Sequence, residues 1–155
     1  MPSSEAKPIL FDTDVITNWL IKETETATEK PLWEAPVEII SRVESGKCKG
    51  FISLMTLLEL RFLLRHKKKV AETQIHTDIQ NLMELFEIVV PDEGELLRAN
   101  KLQSQYLLDP FDSILLSLAL SIPHVTLLSR DTKFLRIAEK LIETASPEEF
   151  LKHFK

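Results

Sequence analysis

Short apolar runs at residues 9–11, 51–53, 87–90, 125–128 and 142–144 alternate with longer stretches whose apolar positions recur at helical spacing. Strands that short and that apolar have to be covered on both faces, and strands joined through helices pair in parallel. The alternation therefore predicts an α/β fold, a three-layer α/β/α arrangement around a central, mostly parallel sheet of four to five short strands. Val15, Ile16, Trp19 and Leu20 predict the first helix, and Val37, Ile39, Ile40 and Val43 the second, with Gly46 suited to its left-handed C-terminal cap. Further helices are expected over residues 56–66, through Ile75, Ile79, Leu82, Met83 and Phe86, from Pro91-Asp92-Glu93, over 113–120 and 132–141, and from Ser146 with Pro147 in the first turn. Residues 24–36 are polar, Thr/Glu-rich and closed by prolines, and are expected to form a long loop pinned by Trp33.

A chain of 155 residues is expected to form one domain, residues 1–155, and a chain of that size buries roughly 70% of its unfolded surface. No repeat or low-complexity tract divides it. The longest apolar stretch, residues 114–122, is far short of the roughly 18 residues a membrane span needs. The opening MPSSEAKPIL lacks the pattern of a secretory leader, so a cytoplasmic location is expected.

Several chemistries are excluded by what the chain lacks. A single Cys48 cannot make an internal disulfide or a cysteine zinc site, and His66, His76, His124 and His153 never take a metal-binding spacing. Gly46, Gly50 and Gly94 are the only glycines, and none falls in a phosphate-cradling G-x-G-x-x-G or P-loop pattern. No G-x-S-x-G nucleophile elbow is present. A net charge of -5 argues against holding nucleic acid by bulk positive field, leaving only a local site.

Four acids stand where a carboxylate is costly. Asp12 closes the first apolar run and Asp131 lies just past the fourth, both at what would be the carboxyl edge of a parallel sheet. Glu59 is embedded in Thr56-Leu57-Leu58-Glu59-Leu60-Arg61-Phe62-Leu63-Leu64, and Asp112 opens the equally apolar 113–120. Each has a simpler role open to it: Asp12 and Asp131 as helix caps, Asp112 as an acid in a helix first turn, Glu59 as a partner of Arg61 or Arg65. Taken together, four unpaired buried carboxylates call for a cation. Oxygen-only ligation selects Mg2+ or Mn2+, a centre suited to phosphodiester hydrolysis.

Four segments in order carry a family likeness: Ile9-Leu10-Phe11-Asp12-Thr13-Asp14-Val15-Ile16, Ser53-Leu54-Met55-Thr56-Leu57-Leu58-Glu59-Leu60, Asp109-Pro110-Phe111-Asp112-Ser113-Ile114-Leu115 and Leu127-Leu128-Ser129-Arg130-Asp131-Thr132-Lys133-Phe134. At these separations they resemble the motifs of the PIN-domain nucleases over nearly the whole chain, and Ser146-Pro147-Glu148-Glu149-Phe150-Leu151 is similar to the closing helix of the VapC-type toxins in that family. The resemblance implies a PIN-like fold and a divalent-metal-dependent endoribonuclease, with Asp12, Glu59, Asp112 and Asp131 as catalytic, metal-coordinating acids. Ser129 would support Asp131 through its hydroxyl. It also implies Mg2+ or Mn2+ as cofactor, tRNA or ribosomal RNA as substrate, a homodimer, and an antitoxin whose C-terminal segment covers the acidic site. Asp14 stands where family members often carry Asn or Ser, adding a fifth carboxylate as a supporting group, and the polar 24–36 loop is a second departure.

RNA would need local positive charge. Arg65-His66-Lys67-Lys68-Lys69 is the one basic run, and Arg65, Lys67 and Lys68, with Arg61, Arg130 and Lys133 beside the motif acids, are the candidate phosphate contacts. A solvated helix end accounts for the lysines equally well. No interleaved aromatic platform for single strands is visible. Two other readings remain. Asp12-Thr13-Asp14 after an apolar strand resembles the nucleophile motif of haloacid dehalogenase-like phosphatases, although Ile16 and the missing final acid pair do not fit it and Glu59 is left unexplained. A non-catalytic PIN-like partner-binding module would ordinarily have lost one of the four acids.

Overall fold

The computed structural model describes residues 5–155, so the first four residues of the segment read above for a leader lie outside the described residues. The strands are β1 (Lys7–Phe11), β2 (Cys48–Ser53), β3 (Glu87–Val89), β4 (Thr126–Leu128) and β5 (Glu143–Ala145). They form one sheet in the order β3-β2-β1-β4-β5, and every neighbouring pair is parallel. The chain builds outward from β1 to β3, then crosses back to place β4 on the other side of β1. The point where the build reverses lies between β1 and β4, and the crevice outside their C-terminal ends is where such sheets take ligands.

Strand alternation sorts the apolar side chains into two cores. Ile9, Phe11, Ile52 and Leu128 face α1 (Thr13–Ile21), α2 (Glu34–Glu44), α3 (Leu54–Phe62), α4 (Glu72–Leu85) and α8 (Pro147–His153). Leu10, Phe51 and Leu127 face the opposite layer of α5 (Glu93–Gln105), α6 (Pro110–Ser121) and α7 (Thr132–Ala138). The register sets Leu10 beside both Phe51 and Leu127, so each face of the sheet is continuous. This is the three-layer α/β/α arrangement that the alternation predicts. Gly50 is the one residue β2 admits at its place, because a Cβ there would lie 2.4 Å from a ring carbon of Phe86.

Several boundaries differ from the sequence reading. The expected 24–36 loop is shorter, since α2 begins at Glu34 and takes Pro36 into its first turn, where a missing N–H costs nothing. What remains folds back on itself through a Thr24–Pro31 bridge and a 2.9 Å bond from the Leu32 N–H to the Glu23 carbonyl. Ser53 caps α3 directly, its hydroxyl accepting from the Met55 N–H at 3.1 Å, so this helix starts two residues early. The expected 56–66 helix then widens into a π-helical turn at Leu63–Lys67. The helix expected over 132–141 closes at Ala138, and the last strand is shifted to Glu143–Ala145. Gly46 does adopt the left-handed conformation, with φ of 82°.

Candidate active site

The C-terminal edge of the sheet gathers the predicted acids. Asp12 follows β1, Glu59 lies in the second turn of α3 after β2, and Asp131 follows β4. Asp112 lies in the first turn of α6, the helix that leads into β4 and so begins at this same edge. Two of these acids also serve as helix caps. Asp12 caps α1, with Oδ1 accepting from the Thr13 N–H at 2.7 Å. Asp131 caps α7 through two 3.1 Å bonds from the N–H groups of Lys133 and Phe134. Each cap fixes a carboxylate at a helix N-terminus, where the dipole favours negative charge.

Ser129 supports Asp131 through its hydroxyl and takes Asp12 as a second partner. Its buried hydroxyl donates to Asp12 Oδ2 at 2.8 Å and accepts from the Asp131 backbone N–H at 3.1 Å. It thus ties the β4 turn to Asp12 and supports Asp131 through the main chain, not the carboxylate. Two contributors were missed. Thr13 Oγ1 donates to Glu59 Oε1 at 3.3 Å, linking α1 to α3. Asp109 caps α6 by accepting from the Asp112 N–H at 2.8 Å, and its charge is felt by Asp12, Glu59 and Asp112. An Asp before Pro is a helix-start signal, so Asp109 was legible as a cap but not as part of a charge cluster.

Burial and mutual repulsion raise these carboxyls. Burial raises the Asp12 carboxyl most, against the Ser129 and Thr13 hydrogen bonds, and the charges of Asp131 and Asp109 raise it further. Glu59 is raised by burial and then by Asp12, with the Thr13 hydroxyl opposing. Burial, followed by the charges of Asp109, Asp12, Asp131 and Glu59, pushes Asp112 up to about 7. Asp14 is also pushed up to about 7, by burial and then by the charge of Asp12. Its Oδ2 accepts from the Arg130 N–H at 2.9 Å, while Oδ1 is buried with no hydrogen-bond partner. Among the described residues no lysine or arginine forms an ion pair with Asp12, Glu59 or Asp112. An all-oxygen set with uncompensated negative charge fits a hard divalent cation in kind. Among the described residues no group of three or more His, Cys, Asp or Glu side chains is disposed to hold a metal ion as the structure stands.

The basic candidates divide. Arg130 is not free for phosphate. Its guanidinium bonds both carboxylate oxygens of Glu148 at 3.0 Å, Asn18 Oδ1 at 2.5 Å and the Leu32 carbonyl at 2.7 Å. It pins the 24–33 segment, the role expected of Trp33, and locks that segment to α1 and α8. Arg61 is paired with Glu72, which Arg65 also approaches at 4.0 Å, and Lys68 pairs with Glu23 at 3.2 Å. Lys67 and Lys133 have no ion-pair partner among the described residues, and Lys67 lines a groove of about 500 Å³ together with Thr13 and Glu59.

Comparisons with known proteins bear on the family and the fold. The family model described as PIN domain matches residues 9–140. No curated protein sequence matches the chain significantly. Among solved structures, VapBC2 from Rickettsia felis, bound to a DNA fragment from its promoter, superposes with a TM-score of 0.66 at 16% identity, covering 90% of this chain and 98% of that one. A toxin-antitoxin complex from Klebsiella pneumoniae gives 0.61 at 20% identity, covering 90% and 97%. PAE2754 from Pyrobaculum aerophilum gives 0.66 at 13% identity, covering 97% and 96%. At these identities the likeness is one of fold.

Proposed function

Because this chain belongs to the PIN domain family, we propose that it is a divalent-metal-dependent endoribonuclease and the VapC-like toxin of a toxin-antitoxin pair. The observation that carries the nuclease reading is the convergence of Asp12, Glu59, Asp112 and Asp131 on one uncompensated patch at the β1/β4 reversal. Mg2+ or Mn2+, when bound, lowers the pKa of an attacking water and neutralises charge on the leaving oxygen. The protein's part is positioning. Thr13 and Ser129 hold the two oxygens of Asp12 through its first bonds, leaving lone pairs for a ligand, and Thr13 steadies Glu59. The structural neighbours in toxin-antitoxin complexes support an antitoxin as partner. Among the described residues no helix is long and apolar enough to cross a membrane.

The test is cleavage of a mixed tRNA and ribosomal RNA pool with Mg2+ or Mn2+, against a chelator control and the Asp12→Asn and Asp112→Asn variants. Cuts at discrete sites that require metal and both acids support the reading. Full activity in either variant removes the site assignment, and intact RNA under both metals removes the nuclease.

A further inference from the structure

The groove beside the acids is apolar and open. It is lined by Met55, Leu58, Phe62 and Leu63 from α3 and the turn after it, by Phe111 from α6, and by Lys67 at its rim. Phe62 is 60% exposed, Leu58 58% and Phe111 44%. Grouped exposed apolar side chains of this size mark a binding surface, not ordinary surface scatter. Thr13 and Glu59 belong to both the groove and the acid cluster, so the two are continuous. His66 stacks against Phe62 at a centroid distance of 4.5 Å, steadying the ring. The π-helical turn that carries His66 and Lys67 is a rare element, often found at functional sites.

We infer that this groove is a nucleobase slot: an unpaired base of the RNA stacks on Phe62, with Phe111 as the second aromatic contact, while Lys67 meets an adjacent phosphate. The inference rests on the nuclease reading and deepens it. A base is neutral, so the acids next door do not repel it, and its flat π face suits rings contributed by two different helices. The single cation on the groove lining complements a phosphate oxygen. The groove escaped the sequence reading because Phe62 and Phe111 stand far apart in the chain and are brought to one lining only by the fold.

The experiment uses the cleavage-inactive Asp112→Asn protein, without metal, titrated with single-stranded oligoribonucleotides carrying one 2-aminopurine at successive positions. One position should quench on binding. Phe62→Leu, which keeps the groove apolar but removes the π face, should abolish that quench and weaken binding about tenfold, the scale of one base–aromatic stack. An oligonucleotide abasic at that position should bind both proteins equally. Affinity and quenching unchanged in Phe62→Leu overturn the slot while leaving cleavage by the wild-type chain, and hence the nuclease reading, standing. Displacement of an apolar, basic helical peptide from the groove, with RNA affinity indifferent to Phe62, assigns the groove to a protein partner and likewise overturns it. Absence of both RNA binding and cleavage overturns the two readings together.

Discussion

Replacing Arg130 by Met should destabilise this protein far more than the loss of a surface arginine. The Arg130 side chain is 16% exposed and that of Glu148 35%, so the pair lies between the solvent-exposed class, worth about 0.2–1 kcal/mol, and the buried class, where breaking one partner costs about 3–5 kcal/mol. Methionine keeps the stem but removes the bonds to Glu148, Asn18 and the Leu32 carbonyl. A loss of about 3 kcal/mol follows, with about 1.5 kcal/mol of it as coupling to Glu148, the value of one hydrogen bond between charged groups. The Arg130 backbone N–H still serves Asp14, so the β4 turn keeps its main-chain anchor. Urea unfolding of wild type, Arg130→Met, Glu148→Gln and the double variant isolates the coupling. In melting temperature the single change corresponds to a drop of about 6–12 °C for a chain of this length. Burial alone would raise the Glu148 carboxyl, but its bonds from Arg130 and a backbone N–H, with the charges of Arg130 and Lys30, hold it below its ordinary value. The coupling is therefore complete at pH 7 and disappears as acidification protonates Glu148. A loss under about 1 kcal/mol, or a cycle with no coupling, refutes the latch. Unchanged stability with weakened RNA affinity would restore Arg130 as a phosphate contact.

Gly50→Ala should cost about 1–3 kcal/mol by overpacking against Phe86, read by chemical denaturation; a neutral result would mean that Phe86 can leave its edge-on contact with Phe11. Thr13→Val should weaken Mn2+ binding about tenfold by calorimetry with little change in melting, the usual scale for a group that orients a metal ligand; undiminished affinity would show that Glu59 needs no such support. In metal-free protein Asp14 and Asp112 keep their protons up to about pH 7, whereas the unfolded chain releases them near 4. The folded state then holds more protons in that window, so stability should fall as pH rises from about 4 to about 7. Thermal melts should show that slope, Mn2+ should flatten it, and Asp14→Asn should reduce it; a rising profile would contradict the raised carboxyls.

How far the site was legible follows from the range of each signal. Asp12, Asp112 and Asp131 announced themselves because strand ends and helix starts are local events, and a local apolar pattern says which end of a parallel strand they occupy. Glu59 announced itself by standing in an apolar helix. Ser129 next to Asp131 suggests support through its hydroxyl, and the register of β1 against β4 delivers that hydroxyl to Asp12 as well. Arg130, standing beside Asp131, reads in the sequence as a candidate phosphate contact. Only the packing of α8 against α2 and β5 brought Glu148 to its guanidinium.

By itself, then, the amino-acid order determined the layer architecture, the strand–helix alternation and the edge of the sheet where the acids collect, because periodicity and capping act within a few residues. The partners of Ser129 and Arg130, the entry of Asp109 into the charge cluster and the placing of Phe62 and Phe111 on one groove were decided by tertiary structure. Those contacts join residues far apart in the chain, and their distances depend on strand register and helix docking, which no local pattern encodes.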